Sequence, residues 1–216
     1  MTILLAIDTS IGTSVTLSVG DVHGGTATFG AGSPPTRGHT EAIGRLIAQV
    51  FDEAQRFGLG TTPADVTGVV VGIGPGPFTG LRVGIAAAQA FAVARGVPLL
   101  PVSGHEAVAL SELPDHSDAP PLRVLQDAKR QELFVTEYAG IDAVGLPVLA
   151  APPRLLARND YHAEPRDVWP ERIPSECLVH AAELRLRAGR AFAPPQALYL
   201  RHPDIYPPAT PKRVST

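Results

Sequence analysis

Asp8 closes the apolar run Ile3-Leu4-Leu5-Ala6-Ile7, and four hydroxyls follow it: Thr9, Ser10, Thr13 and Ser14. A carboxylate at a strand end, beside a hydroxyl-rich turn, can hold a metal-bound phosphate through water and backbone N–H groups. The same residues also suit a plain turn, in which Asp and Ser side chains bond nearby backbone. A second carboxylate, Asp127, stands 119 residues later in a matching context. "LRVLQDAKRQELFVTEY" repeats the order of "ILLAIDTSIGTSVTLSV": apolar run, Asp, polar turn, alternating strand. Asp8 and Asp127 together could flank a metal nucleotide, as in a small kinase or nucleotide hydrolase.

The second candidate is "GIGPGPFTGLRVG", residues 72–84, with five glycines and two prolines in thirteen residues. A glycine-rich loop between a strand and a helix can point backbone N–H groups at an anion. Gly74 and Gly76 are the central candidates. No Lys-Ser/Thr follows, so the stretch is not a P-loop, and Gly80 comes one residue late for G-x-G-x-x-G. Pro75 and Pro77 remove two donors. The alternative is a rigid turn that lets helix and strand pack closely.

Histidines add little. Ser10, His39 and an Asp could be drawn as a hydrolase triad, but no nucleophile elbow surrounds Ser10. His105 has Ala109 where a second metal ligand on a helix would stand. The sole cysteine, Cys177, excludes an internal disulfide framework and a Cys-based metal cluster.

These residues need elements to hold them. Residues 2–8 read as a buried strand, 13–19 as a half-buried one, and "GGTATFG" as a third. Over residues 39–57 the apolar period becomes helical, with Gly58 as the C-terminal cap. "VTGVVVGIG" is a buried strand, "TGLRVGIAAAQAFAVAR" a helix and "GVPLLPV" a strand. The order β-β-β-α-β-α-β predicts a mixed sheet with helices against it. Beyond residue 140 the pattern fades, since fifteen of the 22 prolines lie at or after residue 114. A short strand near "CLVHA" and a helix near "AELRLRAGRAF" are expected there. The last residues read as a tail without a core of its own.

On the second helix, Gly80, Gly84, Ala88 and Ala92 recur every four residues. The rest of its surface is also mostly apolar, so it must be covered on more than one side. We read the small-residue stripe as a seat for a helix of another subunit, with the first helix of the same chain as the alternative.

The chain has 216 residues, net charge −3 and 44% hydrophobic residues. That is enough for one sizeable core or two small lobes. Residues 1–150 carry 8 Lys+Arg and 14 Asp+Glu; residues 151–216 carry 10 and 7. Nothing here suits a protein that coats nucleic acid by charge alone. The N-terminus lacks a signal-peptide pattern and no apolar run approaches a membrane span, so a soluble, cytoplasmic protein is expected.

The stretches "ILLAIDTS", "RGHTEAIGRLI", "GIGPGPFTGLRVGIAAAQAFA", "DAKRQELFVTEY" and "YLRHPDIYPP" carry a further signal. In order and spacing they resemble the TsaB (YeaZ) family, subunits of the bacterial machinery that makes N6-threonylcarbamoyladenosine in tRNA. The match covers residues 2–140 and runs more loosely to the end. Pro77 departs from the serine the family usually carries.

The resemblance implies an α/β fold of the actin, sugar-kinase and Hsp70 type. It implies a first lobe over 1–104, a reduced second lobe over 105–205 and a tail over 206–216. It also implies a subunit without chemistry or cofactor. Asp8, Thr9, Ser10, Gly74 and Gly76 would then be a vestigial phosphate site. The implied partners are a TsaD-like catalytic subunit and a TsaE-like ATPase, with a homodimer when alone, tRNA only indirectly and no membrane. The implied interface is the helical layer of the first lobe: His39, Glu41, Ile43 and Leu46, then Phe78, Thr79, Gly80, Arg82, Val83, Gly84, Ala88 and Gln89.

Overall fold

The structure, a computed structural model, describes residues 1–20, 25–34, 39–113 and 121–201. Its first sheet has the order β3-β2-β1-β4-β5. The strands are β1 (Thr2–Asp8), β2 (Thr13–Gly20), β3 (Thr26–Ser33), β4 (Gly68–Gly72) and β5 (Leu99–Val102). Strands β1 to β3 form an antiparallel meander; β4 and β5 run parallel to β1. Helices α1 (His39–Arg56) and α2 (Phe78–Arg95) cover one face. Helices α3 (Gly104–Glu112) and α4 (Ser175–Ala188) cover the other.

Alternation in β1 explains why its sequence looks uniformly apolar. Ile3, Leu5 and Ile7 enter the core under α1 and α2, while Leu4 and Ala6 enter the core under α3 and α4. Strand β4 divides the same way, with Val69 and Val71 on one side and Val70 on the other. A strand buried on both faces has no polar side to show.

A second sheet lies against α3, with the order β8-β7-β6-β9. It comprises β6 (Leu122–Lys129), β7 (Glu132–Ile141), β8 (Pro147–Ala157) and β9 (Asp167–Val168). Three antiparallel strands and one parallel neighbour repeat the plan of β3-β2-β1-β4. The echo around Asp8 and Asp127 is therefore a repeat of architecture, and β9, two residues long, marks the reduction. Leu122, Val124 and Tyr138 join α3 and α4 in the shared core.

Three expectations for the second half need correction. "CLVHA" is helical: Leu178, Val179, Ala181 and Ala182 are buried together, a helical face rather than an alternating one. The helix ends at Ala188, where Gly189 takes φ 62° and caps it. Strand β8 was not anticipated because it contains Pro152 and Pro153. It is an edge strand, and its register shifts between the pairs Val135–Arg154 and Glu137–Ala151, which accommodates them. The sequence reading also passed over α3. The expected tail, 206–216, lies outside the described residues.

The β6–β7 hairpin turns on Arg130-Gln131, a two-residue loop with φ 53° and 61°; Lys129 before it has φ 63°. Left-handed backbone costs a side-chain-bearing residue about 1 kcal/mol, and such turns favour Asn-Gly. The double variant Arg130→Asn, Gln131→Gly is therefore expected to raise stability by about 1 kcal/mol in a denaturant melt. A lower midpoint would show that the native pair makes contacts worth more than the strain.

Candidate functional site

The loop after β1 and the loop after β4 meet at the C-terminal ends of their parallel strands. Asp8 is 1% exposed. Its Oδ1 accepts from the Ser10 backbone N–H at 2.7 Å and its Oδ2 from Ser10 Oγ at 2.9 Å. Burial pushes its pKa up to about 6, against the opposing hydrogen bonds from Ser10 and Ile11. Thr9 is equally buried and donates Oγ1 to the Gly80 carbonyl at 2.7 Å.

The glycines are explained by what touches them. A Cβ on Gly72 would lie 1.8 Å from Asp8 Oδ2, and one on Gly76 would lie 3.0 Å from Ser10 Cα. One on Gly84 would lie 2.2 Å from Thr9 Oγ1. Gly74 takes φ 100° and its carbonyl accepts from the Gly104 N–H at 2.8 Å and Ser103 Oγ at 3.1 Å. The loop is a close-packed turn: Gly74 and Gly76 are buried and Ser10 occupies the space beside them. The phosphate cradle expected from Asp8, Thr9, Ser10, Gly74 and Gly76 is closed by these residues' own contacts.

From the second sheet, Gln126 reaches the same place. Its Nε2 donates to the Ser10 carbonyl at 3.0 Å. Its Oε1 lies 3.3 Å from His105 Nε2, and His105 Nδ1 lies 2.8 Å from Thr136 Oγ1. This pattern sets the Nε2–H tautomer, with Thr136 donating to Nδ1. His105 is fully buried, which pushes its pKa down to about 4 and keeps it neutral. The carbonyl, amide, imidazole and hydroxyl form one chain of hydrogen bonds joining the two sheets through α3.

Asp127 does not share this environment. It follows Gln126 in β6, so its side chain takes the opposite sheet face. There it is exposed and held by Lys129 Nζ at 2.9 Å and Arg158 at 3.2 Å. The side-chain hydrogen bond from Lys129 pulls its carboxyl below the usual range. Asp8 and Asp127 therefore do not face one another across a nucleotide site. Ser10, 3% exposed and bonded to Asp8, is not presented as a nucleophile either. An open groove of about 1040 Å³ lies elsewhere among the described residues, between the hydroxyls of Thr16 and Thr28 and the segment carrying Trp169 and Arg172.

The expected interface divides. Gly80, Gly84 and Ala88 face the chain's own first sheet and the Thr9 turn, and are buried. Ile43 and Leu46 are 5% and 2% exposed under α1. These five cannot meet a partner: the small-residue stripe exists so that α2 can lie close to the β1 turn. Thr79, Arg82 and Gln89 are exposed, Val83 is half-buried and Phe78 is 51% exposed. His39 and Glu41 fall on the first turn of α1, and their side chains lie outside the described residues. The sequence reading missed Ala86, Ala90 and Val93, which share the outward side of α2, Val93 at 82% exposure. Their spacing of four and three residues was the available signal.

Phe78 and Arg82 meet the C-terminal segment. Phe78 stacks on Tyr199 with ring centroids 5.1 Å apart, Arg82 lies 3.8 Å above the Phe78 ring, and its Nε donates to the Tyr199 hydroxyl at 3.0 Å. The Leu198 N–H bonds the Ile73 carbonyl at 2.8 Å, and Arg201 pairs with Glu132 beyond it. This segment runs from the glycine loop to the β6–β7 hairpin.

Among the described residues, no helix is long and apolar enough to cross a membrane. Comparison with known proteins places this architecture. Residues 27–157 match the family model described as TsaD, tRNA N6-adenosine threonylcarbamoyltransferase. An uncharacterised protein of Mycobacterium tuberculosis is 35% identical over 182 residues, 79% of each chain. A tRNA N6-adenosine threonylcarbamoyltransferase of Streptococcus pneumoniae is 40% identical over 108 residues, 49% of this chain and 30% of that one. The solved structure of YeaZ from Pseudomonas aeruginosa superposes with a TM-score of 0.69 at 25% identity, covering 93% of this chain and all of that one. The two-sheet repeat, the loop chemistry and these matches agree: the chain belongs to the tRNA N6-adenosine threonylcarbamoyltransferase family, as a TsaB-like, YeaZ-like member.

Proposed function

We propose that the chain is a non-catalytic, cytoplasmic subunit of the machinery that makes N6-threonylcarbamoyladenosine in tRNA. It seats a TsaD-like catalytic subunit on the outward side of α1 and α2, and the pair then recruits a TsaE-like ATPase. When alone, the same side pairs two copies of the chain. The single observation that carries this reading is the outward side of α2, where Ala86, Ala90 and Val93 stand exposed between Val83 and Gln89. An apolar helix side of this kind suits a helix-on-helix contact, with burial of its methyl groups as the driving force. The closed contacts of Asp8 and Ser10 support the non-catalytic part, because no group there is presented to a substrate.

The subunit acts by differential binding, favouring the catalytic subunit's active conformation. The test is reconstitution with the purified TsaD-like subunit, the TsaE-like ATPase and the enzyme that supplies the threonylcarbamoyl donor, with and without this chain. Modification of adenosine 37 is expected only in its presence; equal modification without it would overturn the reading.

A surface variant localises the contact. Val93→Asp is expected to weaken pairing with the catalytic subunit at least tenfold by titration calorimetry, because a carboxylate would be buried without a partner. Its own melting point should hold, since Val93 is 82% exposed. Unchanged affinity would move the interface off α2.

A further inference from the structure

We infer that residues 196–201 are an autoinhibitory strap: they cover the strongest anchors of the partner seat on α2 and must leave before a partner engages the whole of it. This rests on the reading above, in which α2 seats the catalytic subunit.

Phe78, Arg82, Ala86 and Ala90 follow one another at four-residue steps and Val93 continues them, so all five lie on one side of α2. All five are exposed. At 1.5 Å per residue the stripe is about 22 Å long. Its composition is uneven: Phe78 is the one ring along it and Arg82 the one charge, whereas Ala86, Ala90 and Val93 offer a few methyl groups. Contact surfaces draw most of their affinity from a few anchors, aromatic rings and guanidinium groups foremost, and the small side chains around them add little. The anchors of this stripe therefore sit at its N-terminal end.

Both anchors are engaged by the chain itself. Tyr199 stacks on Phe78 with ring centroids 5.1 Å apart. The Arg82 guanidinium lies 3.8 Å from the centre of the Phe78 ring, and its Nε donates to the Tyr199 hydroxyl at 3.0 Å. A partner helix laid along the stripe from Val93 meets Tyr199 at the far end. It must stop short of the anchors or take the place of that ring. Taking its place is favoured, because Phe78 is still 51% exposed and a partner would bury more of it.

The hold of the strap suits such an exchange. Residues 196–201 form neither helix nor strand. The Leu198 N–H bonds the Ile73 carbonyl at 2.8 Å. Beyond Tyr199, Arg201 donates to the Ala128 and Lys129 carbonyls and pairs with Glu132, which fastens the strap to the β6–β7 hairpin. A ring tethered this way faces Phe78 at high effective concentration, so the covered form prevails until a partner competes. The partner's apparent affinity is lowered by the fraction of chains whose strap is off.

The test is titration calorimetry of the full chain with the purified TsaD-like subunit, joined to hydrogen exchange of the free and paired chain. Tyr199→Ala frees both anchors and should bind roughly fivefold more tightly. Tyr199→Phe keeps the stack and loses only the bond from Arg82, so its gain should be smaller. The Leu198 amide should exchange faster in the complex than in the free chain, because its bond to Ile73 is released. Parent-like or weaker binding by Tyr199→Ala overturns the inference, as does slower exchange at Leu198, which would make the strap part of the contact. Val93→Asp separates the two readings. Lost affinity there, with Tyr199→Ala unchanged, sinks the strap alone; parent affinity in Val93→Asp sinks the seat on α2 beneath it.

Discussion

Gly84→Leu is expected to prevent folding, not merely to loosen a subunit contact. The first atom of any side chain at 84 would lie 2.2 Å from Thr9 Oγ1, 3.1 Å from Thr9 Cβ and 3.1 Å from Thr9 Cγ2. Thr9 cannot swing away, because it is 1% exposed and its hydroxyl is committed to the Gly80 carbonyl. Gly84→Ala is the measurable form. Overpacking costs up to about 3 kcal/mol, and the helix gains about 1 kcal/mol from replacing glycine. The net, about 2 kcal/mol, should lower Tm by roughly 4–8 °C in a chain of this size. Adding Thr9→Ala removes the two atoms most able to clash and should recover much of that loss. Thermal melts of the parent, both single variants and the double variant decide it. Additive effects, or a Gly84→Ala chain as stable as the parent, would mean that α2 does not press on the β1 turn.

Asp8→Asn is expected to stabilise the protein at neutral pH. Burial sets the folded pKa at about 6 against 3.8 for the unfolded chain, so the folded state holds the proton more tightly. The stability this contributes is complete below 3.8 and is lost as pH rises through 6. At pH 7 the ionised carboxylate therefore costs the fold up to about 3 kcal/mol relative to a neutral group. Asparagine stays neutral and its Oδ1 still accepts from the Ser10 N–H. The advantage of the variant should be small at pH 4, grow to pH 6 and level off above it. His105 works in the opposite sense: its folded pKa of about 4 lies below 6.5, so its contribution falls as pH drops from 6.5 to 4. In the parent the two slopes oppose one another. In Asp8→Asn the histidine slope should stand exposed in denaturant titrations. A variant that tracks the parent at every pH would show that Asp8 is already solvated or neutral.

Asp8 and Asp127 show how far the residues alone could lead. Both close an apolar strand and both precede a polar turn, and from that the repeated plan of the two sheets was legible. Their fates differ through residues distant in sequence. Asp8 is sealed by the glycine loop beside Gly72, whereas Asp127 is drawn outward by Arg158 of the segment after β8. The family resemblance was legible for a related reason: its motifs hold glycines at places where this structure leaves no room for a side chain. Gly72, Gly76 and Gly84 are such places.

Local pattern by itself determined the elements of the first 104 residues, because a strand buried on two faces and a helix with one apolar stripe leave distinct periods. It also determined the repeat and the family. Which side of α2 faces inward was settled only in three dimensions. That helix is apolar nearly all round, so its period carries no direction, and the choice fell to Thr9, 71 residues before the Gly80 whose carbonyl it binds. The contacts of Phe78 with Tyr199, of Arg158 with Asp127 and of Arg201 with Glu132 were likewise invisible along the chain, since they join residues far apart in sequence.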